Sequence, residues 1–317
     1  MKTHYKIGFI GLGSIARRHL SNVCTVLNSR NCTYEIDIIR SAKGHSIGDN
    51  VQKLISNIYY SFDDVPNDYD ILFITNPTSL HFETVQKYAN KAKNMFIEKP
   101  VFDTNNVDIE SLKLNKAGIY YVACPLRYTD VVQKVKEIVA KEKVFSARVI
   151  CSSYLPEWRP GQDYRTTYSS HKNQGGGVSI DLIHEWDYIC YLFGMPQKII
   201  NVRDTFSNLE IDSDDLSLYI GVYKDKAIEV HLDYFGRKSI RQIQLFTEND
   251  TIEADIVNSE IRYLKSGETI SFCESRNDFQ LKEMQYFFDI IEGKAENRND
   301  ISTALSVLKI AREGNWN

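Results

Sequence analysis

Apolar runs of strand length alternate with amphipathic segments through the first part of the chain. Five of the six residues in Tyr5–Ile10 are apolar or glycine, which is typical of a strand buried on both faces of a parallel sheet. A helix is predicted next, over residues 16–27. Further strands are predicted at 34–39, 58–61, 70–75, 94–98 and 119–123, with helices at 80–92 and near 107–116. This alternation predicts an α/β domain built on a doubly wound parallel sheet.

Beyond residue 123 the pattern changes to consecutive strands joined by short polar turns. Lys224-Asp225-Lys226 and Glu248-Asn249-Asp250 are two such turns, and they indicate an antiparallel or mixed sheet. Strands are predicted at 144–153, 198–203, 213–222, 227–235, 241–247, 251–255, 260–264 and 269–273, and helices at 131–139, after 177, at 281–292 and at 301–313. The 317 residues are therefore expected to form two domains, 1–123 and an α+β domain over 124–317, with the C-terminal helix able to pack back on the first.

Composition and charge narrow the class of protein. Charged residues make up 25% and hydrophobic residues 43%, as in ordinary globular proteins. The net charge of −4 and the lack of a basic block argue against a nucleic-acid partner. No apolar run approaches the roughly 20 residues of a membrane span, and the first strand begins too early to leave room for a signal peptide. The six cysteines lack CxxC spacing, so we expect a cytoplasmic protein with neither a disulfide framework nor a metal site.

A glycine motif, Gly11-x-Gly13-x-x-Ala16, joins the first strand to the first helix. Gly11 permits the tight turn, Gly13 lets the backbone approach a pyrophosphate, and Ala16 allows close helix–sheet packing. The N-terminus of the helix adds the positive end of its dipole. The motif predicts a dinucleotide-binding Rossmann domain in which Gly11, Gly13, Ser14 and Ile15 contact the cofactor. The alternative is an ordinary glycine-rich turn.

Other polar motifs fall at the ends of the predicted strands. Because the carboxyl ends of parallel strands meet at one edge of the sheet, where ligands bind, we expect these motifs to belong to the cofactor site. They are Arg40-Ser41, Thr75-Asn76-Pro77 and Glu98-Lys99-Pro100.

The end of the second strand predicts the choice of cofactor. A carboxylate there would select NAD through the adenosine ribose, but Asp37 lies three residues before Arg40, inside the strand. Arg40, Ser41 and the nearby Lys43 are suited instead to a 2′-phosphate. We therefore expect NADP to be preferred over NAD. The alternative is that Arg40 is a solvated loop residue.

Four motifs occur in one order along the chain: Gly11-Leu12-Gly13-x-Ile15-Ala16, Asn76-Pro77 followed by His81, Glu98-Lys99-Pro100, and Gly175-Gly176-Gly177-x-x-x-Asp181-x-x-His184. Together they resemble the glucose–fructose oxidoreductase / inositol dehydrogenase (Gfo/Idh/MocA) family over essentially the whole chain. The resemblance implies an N-terminal Rossmann domain and a C-terminal domain with a large open, mostly antiparallel sheet. That sheet often builds oligomer interfaces, so a homo-oligomer, a dimer or tetramer, is expected.

The resemblance also implies hydride transfer between a nicotinamide and a sugar or cyclitol carbon. It adds His81 and Arg127 to the expected cofactor contacts, although a salt bridge at the domain junction is an alternative role for Arg127. Residues 154–160 followed by Asp163-Tyr164-Arg165 resemble a subgroup encoded with bacterial surface-polysaccharide pathways.

Three residues are candidates for moving the proton that accompanies hydride transfer. By resemblance, Lys99 is the family's active-site lysine, suited to polarise the reacting oxygen or relay its proton; the alternative is a surface lysine. Asp181 and His184 lie three apart on a predicted helix and would project from one face, so the carboxylate could support a histidine acid/base. Alternatively, the pair braces the helix. The family usually spaces these two residues by four, which makes Glu185 a second candidate for the acid/base.

Aromatic and cationic residues precede the glycine run. Aromatic planes stack on sugar rings and arginines bind carboxylates or phosphates, so this composition favours an anionic sugar, nucleotide-linked or acidic. The alternative is a polar loop of arbitrary composition. The expected substrate contacts are Tyr154, Trp158, Tyr164, Arg165 and Lys172, with Arg159 and Tyr168 beside them.

The sequence thus favours an NADP-preferring oxidoreductase acting on a sugar or sugar derivative. One alternative is a redox-neutral lyase or glycosidase that oxidises and re-reduces its substrate on a tightly bound cofactor. Another is a non-catalytic sensor that binds a dinucleotide and a sugar, although Lys99, Asp181 and His184 argue against it.

Overall fold

A computed structural model describes residues 2–42 and 47–313 of the chain. The chain forms two compact units, Met1–Ala123 with Gln280–Leu305, and Cys124–Phe279 with Ser306–Asn317. Gln280–Leu305 falls within the region that the sequence pattern assigned to the second domain. The chain passes from one unit to the other inside its last two helices as well as after Ala123.

The secondary structure comprises β1 (His4–Ile10), β2 (Thr33–Ile39), β3 (Asn57–Tyr59), β4 (Tyr69–Ile74), β5 (Ala92–Ile97), β6 (Tyr120–Val122), β7 (Val144–Tyr154), β8 (Lys198–Asp204), β9 (Leu216–Val222), β10 (Ala227–Asp233), β11 (Phe235–Thr247), β12 (Thr251–Asp255), β13 (Glu260–Tyr263) and β14 (Thr269–Ser271). The helices are α1 (Ser14–Ser29), α2 (Asp49–Gln52), α3 (His81–Tyr88), α4 (Asp130–Lys141), α5 (Val178–Asp181), α6 (His184–Phe193), α7 (Asp278–Ile291) and α8 (Ile301–Glu313).

The first unit is built on a parallel sheet with the strand order β3-β2-β1-β4-β5-β6. Every residue of β4 is buried, as the continuous apolar run predicts for a central strand covered on both faces. Strand order reverses between β1 and β4, and such a switch point is where this class of sheet binds ligands. The doubly wound parallel sheet predicted from the sequence is confirmed.

An aromatic cluster packs between this sheet and α7. The ring of Phe96 lies 5.1 Å from that of Phe73 and 5.2 Å, edge to face, from that of Phe287 (centroid to centroid). All three side chains are fully buried. Such pairs stabilise beyond their buried area, and here they fix the strands whose ends carry the polar motifs.

The helix predicted near residues 107–116 is absent, and this prediction was wrong. That segment contains only a 3-10 turn, Glu110–Leu112, which ends at Lys113 with φ of 52°. The carboxylate of Asp108 accepts a hydrogen bond of 3.0 Å from the amide of Glu110. Side chains of this type bind nearby backbone groups and compete with helix formation.

The second unit contains an eight-stranded sheet with the order β14-β13-β12-β11-β7-β10-β9-β8. Neighbouring strands are antiparallel throughout except for β7 and β10, which are parallel. The predicted turns at 224–226 and 248–250 join β9 to β10 and β11 to β12. The mostly antiparallel sheet expected for this domain is confirmed.

Two predicted elements of the second unit differ from the structure. The strand predicted at 227–235 ends at Asp233, and its last residue begins β11. The single helix predicted after Gly177 is two short helices, α5 and α6. Leu182, with φ of −96° and ψ of 31°, lies outside the helical region and separates them.

None of the described helices combines the length and apolar character that crossing a bilayer requires.

Candidate dinucleotide site and substrate region

An open cleft of about 830 Å³ lies in the first unit, at the carboxyl ends of β1, β2 and β4. It is also lined by the first turn of α1, by one side of α3 and by residues that follow β3. Its volume is that of a small-molecule or cofactor site. Seven of the predicted cofactor contacts line it: Gly11, Gly13, Ser14, Arg40, Ser41, Asn76 and Pro77.

The glycine turn faces this cleft. Gly11 has φ of 90°, and a Cβ atom there would lie 3.1 Å from both the Cα of Asn76 and the carbonyl oxygen of Thr75. A Cβ atom on Gly13 would meet no protein atom within 4 Å, because this residue opens onto the cleft. In the described chain, α1 has neither a side-chain cap nor an acidic residue in its first turn. Its first amides are therefore suited to an anion such as a pyrophosphate.

The motif after β4 combines a structural residue with a ligand-facing one. The Thr75 hydroxyl donates to the carbonyl of Ile10 at 3.0 Å, which ties β4 to β1. Asn76 Nδ2 donates to Thr84 Oγ1 at 2.8 Å, whereas Asn76 Oδ1 is buried and has no hydrogen-bond partner among the described residues. A buried acceptor without a donor is unfavourable, so a ligand N–H or O–H fits at this wall of the cleft.

Cations outnumber carboxylates around the end of β2. Asp37 is fully buried, and its two oxygens accept hydrogen bonds of 2.8 Å from Asn57 Nδ2 and Tyr69 Oη. It is therefore a structural carboxylate within the sheet. Lys43, the third residue in our sequence argument, lies outside the described residues. The ionisable residues lining the cleft are Arg17, Arg40, Lys87, Tyr60, Tyr88 and Glu83, an excess of cations.

Glu98 and Lys99 follow β5 directly. Glu98 Oε1 is hydrogen-bonded to His19 Nε2, and Glu98 Oε2 accepts a hydrogen bond of 3.2 Å from the Lys99 amide. Burial alone would raise the pKa of Glu98, but the bond and charge of His19, aided by Lys99, hold it below its usual value. Glu98 thus positions the segment that carries Lys99, which is half-buried and precedes a cis peptide bond to Pro100. His19 lies in the middle of α1 and belongs to no motif, so this role was not predictable from the sequence.

His81 holds two strand-end loops together. Its Nε2 lies 3.0 Å from the carbonyl oxygen of Asn76, and its Nδ1 lies 3.1 Å from that of Pro100. Burial lowers the pKa of His81, and its carbonyl neighbours and Glu98 oppose this shift only in part. His81 does not line the cleft, and neither do Ile15 and Thr75. Within the first unit, the buried side chain of His81 connects the loop after β4 to the loop after β5. Its predicted contact with the cofactor stays a prediction.

Asp181 and His184 do not share a helix, which corrects the prediction that they project from one helical face. Asp181 is the last residue of α5 and His184 the first of α6. The buried carboxylate of Asp181 accepts a hydrogen bond of 2.6 Å from Tyr234 Oη and interacts with the Tyr168 hydroxyl. Tyr234 was not identified from the sequence, because it lies 53 residues away from Asp181 and only the sheet brings it near.

Glu185, the second acid/base candidate, is fully buried. Its Oε1 accepts a hydrogen bond of 2.7 Å from Arg241 Nε. His184 beside it is half-buried. Of the two residues, His184 is therefore the one with access to a ligand.

Arg127 forms a buried bidentate ion pair within the second unit. Its Nε and Nη2 donate to the two oxygens of Asp187 at 2.8 and 2.7 Å, and its guanidinium lies 5.1 Å from the ring centroid of Tyr191. This geometry favours the salt-bridge alternative over the predicted cofactor contact.

The predicted substrate contacts differ in their surroundings. Trp158 donates to Ser153 Oγ at 3.0 Å and packs edge-on against Tyr234 at 5.2 Å between centroids. Arg165 is exposed and paired with the carboxylates of Asp163 and Glu210, so its charge is already balanced. Tyr164 is half-buried, its hydroxyl accepting from the Glu210 amide at 3.1 Å, and Lys172 is exposed. Tyr154 lies under the guanidinium of Arg237, a residue that the sequence analysis did not identify.

Sequence comparison also identifies a Rossmann fold in the first unit. The profile of the Gfo/Idh/MocA family, described as an oxidoreductase family with an NAD-binding Rossmann fold, matches residues 5–114. An uncharacterized oxidoreductase, YrbE of Bacillus subtilis, is 27% identical over 192 residues, which cover 59% of this chain and 53% of that protein. The 2,7-anhydro-N-acetylneuraminate hydratase of Escherichia coli is 29% identical over 133 residues, covering 41% and 35% respectively. These matches span about half and about a third of the relatives' own length.

Structural comparison extends the likeness to both units. Levoglucosan dehydrogenase, solved in complex with NADH and levoglucosan, superposes with a TM-score of 0.80 at 15% identity and covers 99% of each chain. Such a likeness shows the fold. The two proteins share a Rossmann-type domain and a domain built on a large, mostly antiparallel sheet. The family match is confined to residues 5–114, and over these residues the chain is similar to the Gfo/Idh/MocA family of oxidoreductases.

Proposed function

We propose that this protein is an NADP-preferring oxidoreductase that transfers hydride between the cofactor and a carbon of a sugar or sugar derivative. The observation that carries the proposal is the cleft of the first unit, where an open glycine turn, the uncapped N-terminus of α1 and the buried Asn76 Oδ1 converge. When bound, a nicotinamide dinucleotide supplies the ring carbon that takes or gives the hydride.

The preference for NADP rests on charge. Arg40 lies directly after β2 and lines the cleft, and Asp37 is occupied inside the sheet. A guanidinium at this position binds a 2′-phosphate through charge-assisted hydrogen bonds, whereas a ribose hydroxyl gains little from it. Arg17 and Lys87 add positive potential to the same cleft.

We assign the transfer of the proton that accompanies the hydride to three side chains. An alcohol that loses hydride also loses its hydroxyl proton, which a positioned base must take. Lys99 is held at the end of β5 by the Glu98 network and is assigned to polarise the reacting oxygen. Asp181 and His184 are assigned to accept or return the proton. The buried, hydrogen-bonded carboxylate of Asp181 and the partial exposure of His184 support this assignment.

We further propose that the protein acts as a homo-oligomer through the open face of its eight-stranded sheet. Ile200, Val202 and Ile220 are exposed by 46%, 54% and 45%, and Ile200 pairs with Ile220 across β8 and β9. Contiguous exposed apolar side chains mark an association surface. Val202→Glu should lower the assembly state measured by sedimentation velocity, whereas an unchanged assembly would contradict this interface.

A second candidate is a redox-neutral reaction on a tightly held cofactor. One relative is named a hydratase, which denotes a reaction without net oxidation. Turnover without net change in nicotinamide absorbance would identify this activity.

The first experiment is a titration of the purified protein with NADPH and NADH, followed by nicotinamide fluorescence. Tighter saturable binding of NADPH supports the proposal, and tighter binding of NADH contradicts the cofactor preference. Binding of neither to folded, cofactor-free protein would overturn the oxidoreductase assignment. Protein already saturated on purification favours the redox-neutral candidate.

A further inference from the structure

Four residues of β11 leave the sheet close to Asp181 and Tyr234. Phe235 pairs with Tyr154 of β7, and the next pair is Ile240 with Ser152. Between these pairs, Gly236–Ser239 stand opposite a single residue, Ser153. We call these four residues the β11 bulge. Bulges of this kind re-aim side chains and occur beside active sites.

The β11 bulge has a fixed geometry. Asp233, which is buried, accepts hydrogen bonds from the amides of Phe235 and Gly236 at 3.0 and 2.7 Å through one oxygen. Its other oxygen lies 2.9 Å from His231 Nε2. A Cβ atom on Gly236 would lie 1.8 Å from Ser152 Oγ, so a larger residue here would require this hydroxyl or the backbone to shift.

The β11 bulge presents Arg237 on an aromatic platform. The guanidinium carbon lies 3.8 Å above the ring centroid of Tyr154, which is contact distance. The ring covers one face of the guanidinium and leaves the N–H groups at its edge to bind a ligand. Arg237 is exposed and, among the described residues, forms no ion pair. It differs in this from Arg165, which two carboxylates neutralise.

A chain of contacts within the second unit connects Arg237 to Asp181, one of the residues assigned to proton transfer. Tyr154 is followed by Leu155, whose amide donates to the carbonyl of Tyr234 at 2.9 Å. The Tyr234 hydroxyl in turn binds Asp181 at 2.6 Å. Trp158 packs on the same tyrosine. A sugar that stacks on Trp158, which is only half-buried, would thus have an available guanidinium nearby.

We propose that Arg237 is the specificity-determining residue of the substrate region, and that it binds an anionic group, carboxylate or phosphate, carried by the sugar. This inference rests on the proposed function and deepens it, since it names the class of sugar. Arg165, which the sequence favoured for this role, is paired with Asp163 and Glu210 at the protein surface instead. A bidentate guanidinium recognises the planar oxygens of either anion, so the test must separate the two.

The test compares three probes in protein loaded with NADPH, by calorimetry at fixed ionic strength. N-acetylglucosamine is neutral, UDP-N-acetylglucosamine adds a diphosphate, and UDP-N-acetylglucosaminuronate adds a carboxylate as well. Arg237→Gln should weaken binding of at least one charged probe about 10- to 100-fold and leave the neutral sugar unchanged. Arg237→Lys should weaken binding of the charged probe nearly as much as Arg237→Gln does, because a lysine provides neither the stacking nor the fork of donors. The matched control is Arg276→Gln, an exposed arginine in the loop before α7.

The outcomes separate the alternatives. A loss confined to the uronate assigns Arg237 to a carboxylate, and an equal loss on both nucleotides assigns it to a phosphate. An effect no larger than that of Arg276→Gln, an equal loss on the neutral sugar, or binding of no probe by protein that binds NADPH would overturn the inference. Discrimination among the sugars by protein that binds neither NADPH nor NADH would instead contradict the proposed function.

Discussion

The hydroxyl group of Tyr234 donates a hydrogen bond of 2.6 Å to Oδ2 of Asp181. Both side chains are buried, with exposures of 0% and 7%. Burial raises the pKa of Tyr234 well above its usual value, and the carboxylate of Asp181 raises it further, so the phenol keeps its proton. A buried carboxylate requires such donors, because an unsolvated charge is strongly unfavourable. Tyr234 therefore positions Asp181 rather than reacting itself.

Tyr234→Phe removes this donor while keeping the ring. We expect kcat to fall about 10- to 100-fold with KM nearly unchanged, because Asp181 loses its fixed position. The free energy of unfolding should fall by about 1.5–3 kcal/mol, the usual contribution of a hydrogen bond to a charged group. The control is Tyr219→Phe, another buried tyrosine, whose hydroxyl donates to the carbonyl of Ala311 at 3.1 Å. An equal loss of kcat in both variants would reduce Tyr234 to a structural role.

Lys99→Met tests the lysine after β5. Turnover should fall about 10²- to 10⁴-fold, the range in which a positioned proton-transfer group contributes. NADPH should still bind, because the glycine turn and Arg40 are untouched. The exposed Lys116 provides the control variant Lys116→Met, for which steady-state rates should match the wild type. Full activity of Lys99→Met with cofactor bound would show that the assignment is wrong.

Arg40→Ala tests the choice of cofactor. The dissociation constant for NADPH should rise about 10- to 100-fold, because the 2′-phosphate loses a charge-assisted pair, while that for NADH should change little. Both constants are measured by nicotinamide fluorescence, with Lys53→Ala as a control that removes an exposed charge outside the cleft. An unchanged ratio of the two affinities would contradict the charge argument.

His184→Asn and Glu185→Gln separate two neighbouring candidates. We expect His184→Asn to lower turnover at wild-type stability. Glu185→Gln should lower the free energy of unfolding by about 2 kcal/mol, because Arg241 loses its charged partner. This loss is smaller than that expected for a fully buried ion pair, since Arg241 is partly exposed. Urea unfolding and initial rates give the two quantities. The opposite result would move the acid/base role to Glu185.

The lowered pKa of His81 predicts that the stability of the protein depends on pH. Its pKa in the folded chain lies below the ordinary value of 6.5, so below that pH the unfolded chain takes up the proton more readily. Stability is therefore lost as the pH falls, by up to about 1.4 kcal/mol per unit for this group. In His81→Gln, the difference in unfolding free energy between pH 7.5 and 5.5 should be smaller than in the wild type. His4→Gln, at an exposed position, should leave the difference unchanged, and equal slopes in all three proteins would exclude His81 as the source.

Local patterns carried much of the fold. The strand predicted at 251–255 has the bounds of β12, and the motif around Gly11 predicted the turn from β1 to α1 that lines the cleft, because strand, turn and helix are encoded within about a dozen residues. The break at Leu182 was not predictable in this way. No proline or glycine marks the position, so the neighbouring residues carry no local signal of the break.

Contacts between residues far apart in the chain explain what the sequence analysis missed at the site. Arg165 fits an anion site by composition, but Glu210, 45 residues away, neutralises it. Arg237 lies far along the chain from Tyr154 and meets it only through the register of β11 on β7. Contacts of this kind depend on tertiary structure, and a single sequence carries no local signal of them.

The β11 bulge has a consequence for how this protein could diversify. Strand pairing resumes at Ile240 after the bulge, so the register through Phe246 is independent of how many residues the bulge contains. Insertions or deletions there would lengthen or shorten the arm that carries Arg237 without turning any core residue of β11 toward solvent. The position is therefore a natural place for the chain to acquire a new substrate preference while its sheet, and the stability that depends on it, is inherited intact.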